Sequence, residues 1–173
     1  MLIGLIGKKG TGKTTIAKYL EDNHGFKRYS FADPLKEMLV NAGMCTYGEL
    51  YEEKTDFSRW LMQKIGTDII RNQVSKSFWV DKLGEKLVRN RDNMVIIDDI
   101  RFIDEYLYLK ALGRYHKKIF FIRIKRDTGF EDVHVSETEL DDVIIHTQHT
   151  IMNNGTIEGL LREVNNLFTE RLS

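Results

Sequence analysis

The chain predicts an α/β domain with a mostly parallel sheet and helices on both faces, and three observations carry that expectation. Leu2-Ile3-Gly4-Leu5-Ile6 reads as a buried strand and runs straight into a glycine-rich loop, Gly7-Lys8-Lys9-Gly10-Thr11-Gly12-Lys13-Thr14, with helix-spaced Ile16, Ala17 and Leu20 behind it. Strand-like and helix-like stretches then alternate to the C-terminus. The residues with chemical potential cluster after the strands, at the carboxyl edge where open α/β sheets hold their ligands.

Element by element, the first helix should open at Gly12 and run to about Asn23, with Gly25 as its left-handed C-terminal cap. Phe26 to Phe31 alternates like a short strand. Asp33 and Pro34 read as an N-cap and first-turn pair opening a helix through Val40. From Tyr47 to Arg91 the signals are almost purely helical. Trp60, Leu61, Ile65, Ile69, Ile70 and Val74 form one apolar stripe, and Val80, Leu83, Leu87 and Val88 another. The segment of about 33–91 is therefore a helical insert between the second and third strands. Met94-Val95-Ile96-Ile97 is a strand ending at Asp98-Asp99, a helix follows from Ile103 to Leu112, and Ile119–Ile124 is the next strand. Lys125 to Asp141 is polar and without period, which suits a loop. A weak strand near Thr150-Ile151-Met152 and a helix from Thr156 to Leu172 complete the order.

With 173 residues, one domain spanning 1–173 is expected, large enough for a real core. Lys plus Arg and Asp plus Glu stand at 26 each, so no global basic field argues for a nucleic-acid polymer as partner. No apolar run approaches the ~20 residues of a membrane span, and no leader-like segment precedes the first strand. Cys45 is the only cysteine, which favours a reducing compartment, most simply cytoplasm.

Gly7 to Thr14 fits G-x-x-x-x-G-K-[ST], a loop whose backbone N–H groups converge on a polyphosphate. Gly7 and Gly12 permit backbone angles that a side chain forbids. Lys13 can reach the terminal phosphates and the Thr14 hydroxyl can ligate Mg²⁺. Asp99 and Arg101 could hold a metal's water shell and an acceptor phosphate; the alternative is that Asp98 and Asp99 merely cap the next helix. Arg123, Lys125 and Arg126 suit stabilisation of migrating charge, or form a solvated basic turn. Arg59, Gln63, Thr67 and Arg71 recur every fourth residue and share a helix face, which a plain polar surface explains equally well. Trp60 and Trp79 read as core before they read as base-stacking platforms. His134, Ser136 and Glu137 are too close in sequence for a hydrolytic triad. His146, Gln148 and His149 lack metal-ligand companions. No Asn-Lys-x-Asp tetrad occurs, which counts against a guanine-nucleotide switch.

These residues resemble the deoxynucleoside monophosphate kinases of tailed bacteriophages and large-genome viruses. Beyond the phosphate loop, the similarity rests on Phe31-Ala32-Asp33-Pro34-Leu35-Lys36, on Arg59 to Asp68, and on Phe78-Trp79-Val80. Asp99-Ile100-Arg101-Phe102 with Glu105, His134-Val135-Ser136-Glu137, and Asn153-Asn154-Gly155-Thr156 continue it in the same order. The resemblance implies a three-layer P-loop kinase fold with a five-stranded parallel core, an acceptor-binding helical insert, and a lid at about 125–141. It implies transfer of the γ-phosphate of ATP, with Mg²⁺, to a 5′-deoxynucleoside monophosphate in deoxynucleotide biosynthesis.

Carried over by position, Gly7, Gly10, Thr11, Gly12, Lys13, Thr14 and Thr15 would hold ATP, with Asn153, Asn154 and Thr156 beside its base. Lys9, Asp33, Lys36, Arg59, Gln63, Gly66, Thr67, Arg71, Trp79, Asp99, Arg101 and Glu105 would line the acceptor site. Arg126, His134 and Glu137 would belong to the lid or to acceptor contacts. Lys13, Asp99, Arg101 and Arg126 would be the catalytic group, and Thr14 the metal ligand. The partners so implied are ATP and the monophosphate, in a cytoplasm that is the host's if the protein is viral. The accepted bases and a homodimer are left open, because Leu39 to Phe57 is shorter than in larger members. Another small-molecule P-loop kinase, or an ATP-binding domain without catalysis, are the alternatives.

Overall fold

Among the described residues five short segments pair into one parallel sheet, and the central one is apolar and buried along its whole length. In this computed structural model, which describes residues 1–114, 118–127 and 147–172, the strands are β1 (Leu2–Ile6), β2 (Lys27–Tyr29), β3 (Val95–Ile100), β4 (Ile119–Lys125) and β5 (His149–Met152). Their spatial order is β2-β3-β1-β4-β5, every neighbouring pair parallel. Parallel pairing needs crossovers, and between β1 and β2, β2 and β3, and β3 and β4 helical stretches supply them. Among the described residues no helix is long and apolar enough to cross a membrane.

The chain divides into two compact units, Met1–Tyr29 with Asp92–Ser173, and Ser30–Arg91. In the first, α1 (Lys13–His24) and α6 (Ile157–Leu167) cover one face of the sheet. Ile16, Ala17, Leu20, Leu160 and Val164 interlock there with Ile3, Leu5, Ile96, Ile122, Ile124 and Ile151. On the opposite face α5 (Ile103–Ala111) sets Tyr106 against Phe121, ring centroids 4.6 Å apart. Gly4 lies under this layer because a Cβ there would stand 2.5 Å from Ile100 Cδ1 and 2.7 Å from Phe121 Cδ1. Helices on both faces of a parallel sheet give the three-layer α/β architecture that the alternation predicts.

Ends of elements follow local chemistry. Gly25 caps α1 at φ 72°, its N–H donating to Leu20 O. The second strand is Lys27–Tyr29, narrower than the expected Phe26 to Phe31. At the other end Thr156 is the N-cap of α6, its side chain accepting from Gly159 N–H at 3.2 Å, and the helix continues as a π-helical turn, Phe168–Leu172.

The second unit is all helical: α2 (Asp33–Asn41), a π-helical turn Gly48–Glu52, α3 (Asp56–Gln63) continuing into a π-helical segment Lys64–Val74, and α4 (Phe78–Asn90). Leu35, Leu39, Cys45, Leu50, Leu61 and Trp79 form its core. Ala32, not Asp33, occupies the N-cap of α2; Asp33 is the first helical residue and its carboxylate accepts from Lys36 Nζ at 3.2 Å. With Pro34 behind it, Asp33 still places negative charge at the positive end of the helix. The apolar stripe expected on Trp60 to Val74 is only partly buried: Leu61 lies in the core, whereas Trp60 and Val74 are 56% and 65% exposed.

Candidate active site

The loop between β1 and α1 is shaped by its glycines. Gly10 and Gly12 sit at φ 78° and φ 100°, angles that a Cβ disfavours, and a Cβ on Gly7 would stand 2.4 Å from Ile124 O. Buried Thr11 closes the turn by donating its hydroxyl to Lys8 O at 2.8 Å. Lys13 is buried too, and its ammonium donates to the carbonyls of Gly7 and Lys8, so it is held inside the loop. The N-terminus of α1 has no side-chain cap and no acidic residue in its first turn. A helix end in that condition offers N–H groups and positive dipole to an anion. Lys9 and Thr14 are exposed, and Thr15 is half-buried.

Behind the loop stands a carboxylate that alternation along the strand does not single out. Asp98, 4% exposed, accepts from the Thr14 hydroxyl at 3.1 Å and from Arg28 Nη2 at 2.8 Å, both on Oδ2. The β1–β3 register explains the ambiguity. Gly4 pairs with Ile97 but Ile6 with Ile100, so β3 carries one extra residue at Asp98-Asp99. A bulge breaks the two-residue period and re-aims side chains, here at the sheet's ligand-holding edge. Asp99 is half-buried and lies close enough to Glu105 to act on it electrostatically.

Glu105 is buried, and its Oε2 accepts from the backbone N–H groups of Arg101 at 2.8 Å and Phe102 at 3.1 Å. It thereby caps α5 and fixes the backbone from which Arg101 projects. Burial, reinforced by the charge of Asp99, pushes its carboxyl up to about 8 against the opposing backbone hydrogen bonds. Arg101 and Arg123 are half-buried, with Arg123 opposite Ile6, the last residue of β1; Lys125, which ends β4, and Arg126 are exposed.

Asn153, just past β5, is buried and donates its side-chain N–H to Thr11 O at 2.9 Å, while its own N–H donates to Lys125 O at 2.7 Å. Asn154 Oδ1 accepts from Asp127 N–H at 3.1 Å, and Thr156 is the α6 cap. Of the three residues expected beside a base, Asn153 and Asn154 tie the loops of this edge together, while Thr156 caps its own helix.

Within the helical unit, Lys36 is buried, paired with Asp33, and its ammonium lies 4.6 Å from the centroid of the Tyr51 ring. Burial, with Asp33 and Glu37 nearby, pushes the Tyr51 hydroxyl up to about 12. Arg59 donates to Lys54 O at 3.0 Å through Nη2 and 3.2 Å through Nε. The four polar residues spaced by four do not form a plain solvated stripe: Thr67 and Arg71 are buried, Arg59 and Gln63 half-buried. Arg71 Nη1 donates to Lys76 O at 3.0 Å. Trp79 is a core residue whose Nε1 donates to Gly66 O at 2.8 Å. A side chain at Gly66 would have to displace Leu35, since its Cβ would lie 2.6 Å from Leu35 Cδ2.

His134 and Glu137, and the expected lid from residue 128 on, lie outside the described residues. Among those described, no group of three or more His, Cys, Asp or Glu could hold a metal alone. A cation here would depend on Thr14 and on ligand phosphates, the usual arrangement for Mg²⁺. Thr14 fits that role, because its hydroxyl hydrogen is given to Asp98 and its lone pairs remain.

Two solved structures share the fold at low identity. Dephospho-CoA kinase from Campylobacter jejuni is 13% identical, with a TM-score of 0.60 over 98% of this chain and 96% of that one. Shikimate kinase from Aquifex aeolicus is also 13% identical, with a TM-score of 0.53 over 99% and 98%. Sequence similarity reaches further. A protein of Acanthamoeba polyphaga mimivirus, provisionally named a deoxynucleotide monophosphate kinase, is 33% identical over an alignment that covers 95% of this chain and 94% of that one. The family model for deoxynucleotide monophosphate kinase matches residues 1–55 and 44–164. This chain, a phosphotransferase built around a phosphate loop, belongs to the deoxynucleotide monophosphate kinase family.

Proposed function

We propose that the protein transfers the γ-phosphate of ATP to the 5′-phosphate of a deoxynucleoside monophosphate, giving a deoxynucleoside diphosphate and ADP. The observation that carries this reading is the loop from Gly7 to Thr14, with two left-handed glycines, an inward lysine and an uncapped helix end. Membership of the family supplies the acceptor class.

In the reaction an oxygen of the acceptor phosphate attacks the γ-phosphorus, the bond to the β,γ-bridging oxygen breaks, and ADP leaves with that electron pair. The loop N–H groups and Lys13 would hold the β- and γ-phosphates. Mg²⁺, when bound through Thr14 and the nucleotide, supplies further neutralisation of the phosphate charge. Arg101 and Arg126, with Arg59, Lys9 and Lys36, are the cations proposed for the acceptor phosphate and the transferred group. Gln63, Thr67, Arg71, Trp79, His134 and Glu137 are proposed for the acceptor site. Lys36 has the chemistry for this: an ammonium out of water beside one carboxylate is a ready donor to a phosphate. Since the chemistry is mostly positioning and charge, charge contacts made in the transition state should govern turnover.

ADP release measured with a panel of 5′-deoxynucleoside monophosphates and of phosphorylated non-nucleotide metabolites tests the reading. Turnover with at least one deoxynucleotide is expected. Turnover confined to the metabolites would point to a different small-molecule kinase.

A further inference from the structure

Arg28 has no place in the phosphate loop or the acceptor set, yet it meets Asp98, the carboxylate that among the described residues touches Thr14. In the parallel β2–β3 register Arg28 lies opposite Ile96 and shares its face of the sheet, and Asp98 follows two residues on, where the bulge begins. That is the face covered by α1, whose first turn carries Thr14. Arg28 Nη2 reaches Asp98 Oδ2 at 2.8 Å, and the Thr14 hydroxyl reaches the same oxygen at 3.1 Å. Asp98 is 4% exposed on its side chain and Arg28 32%, so the pair sits at the rim of the layer with the carboxylate inside.

A threonine hydroxyl has one hydrogen and two lone pairs, and it can ligate a cation only when the hydrogen is directed elsewhere. Asp98 Oδ2 receives that hydrogen. A carboxylate can turn about its terminal torsion, however, and one weak hydroxyl contact does not hold it. The guanidinium on the same oxygen does, through a charge-assisted bond to a nearly buried anion.

We propose that Arg28 is a positioning residue for the divalent cation at Thr14: by pinning Asp98 Oδ2 it fixes where the Thr14 hydroxyl sends its hydrogen and leaves its lone pairs for the cation. The inference rests on the ATP-binding reading above. It differs from an ordinary structural ion pair in what it predicts, because a structural pair would matter equally with and without the metal.

The test is equilibrium binding of a fluorescent ADP analogue in Mg²⁺ and in EDTA, with melting temperatures recorded alongside. Wild type should bind more tightly in Mg²⁺. Arg28→Gln and Arg28→Met should lose most of that metal-linked gain while the EDTA affinity stays near wild type; partners of this kind typically carry ~10–100-fold in metal affinity. Arg28→Lys should recover much of the gain, and two charge-removing variants guard against one failing to fold. A wild-type gain in both variants would overturn the proposal. So would equal losses in Mg²⁺ and EDTA, the mark of a structural pair, or a wild type with no Mg²⁺ gain. Failure of wild type to bind the analogue at all would overturn the ATP reading itself.

Discussion

Asn153 Nδ2 donates to Thr11 O at 2.9 Å and stands 2.6 Å from where a Cβ on Gly12 would lie. One amide past β5 therefore both ties down the phosphate loop and crowds any side chain at its last glycine. Asn153→Ala leaves a buried carbonyl without its donor, at a cost of about 1–3 kcal/mol. Asn153→Asp should be worse, since a carboxylate oxygen would face Thr11 O. Denaturant unfolding measures both, and wild-type stability for Asn153→Asp would contradict the tie.

Gly12→Ala meets two obstacles, the left-handed angle of 100° and the Asn153 amide. Backbone strain of this kind costs ~1–3 kcal/mol. The expected outcome is a folded but less stable protein with weakened nucleotide affinity in titration calorimetry, with Gly12→Ser behaving alike.

Glu105 gives a pH signature. Its folded carboxyl value of about 8 lies above the ordinary 4.5, so between the two the folded state holds more protons than the unfolded state. Stability from this group is then fully present below the lower value and is lost as pH rises through the higher one. Glu105→Gln keeps an acceptor for the Arg101 and Phe102 N–H groups without the charge. Its unfolding midpoint should gain on wild type as pH is raised from 5 to 9. A constant difference would show that Glu105 does not titrate in that window.

Trp79→Phe removes the donor to Gly66 O inside the helical core. The expected cost is about 1–3 kcal/mol, together with a KM for the monophosphate that rises more than the KM for ATP. An effect on ATP alone would contradict the assignment of Gly66 and Trp79 to the acceptor site.

Much of this was legible in the sequence because the signals were local. An apolar pentad, a glycine loop and helix-spaced Ile16, Ala17 and Leu20 fix β1 and α1 without tertiary information. Asp98 was harder to single out than Asp99 because the β3 bulge cancels the alternation that would rank them. Arg28 carried no motif; only the strand register brings it to Asp98. Glu105 lay within reach of sequence reasoning as a capping residue, three positions after Phe102, yet its burial depends on the whole α5 layer. Trp60 reads as core by spacing, yet it is exposed and stacks on Phe57, ring centroids 6.1 Å apart, which spacing along one helix does not reveal.

Product analysis tests the central claim most directly. Incubation with ATP, Mg²⁺ and each deoxynucleoside monophosphate, followed by chromatographic separation, should yield ADP and the matching deoxynucleoside diphosphate in equal amounts. Lys13→Met should reduce both by ~10²-fold or more while remaining folded. Absence of any deoxynucleoside diphosphate across the panel, or undiminished formation by Lys13→Met, would contradict the account.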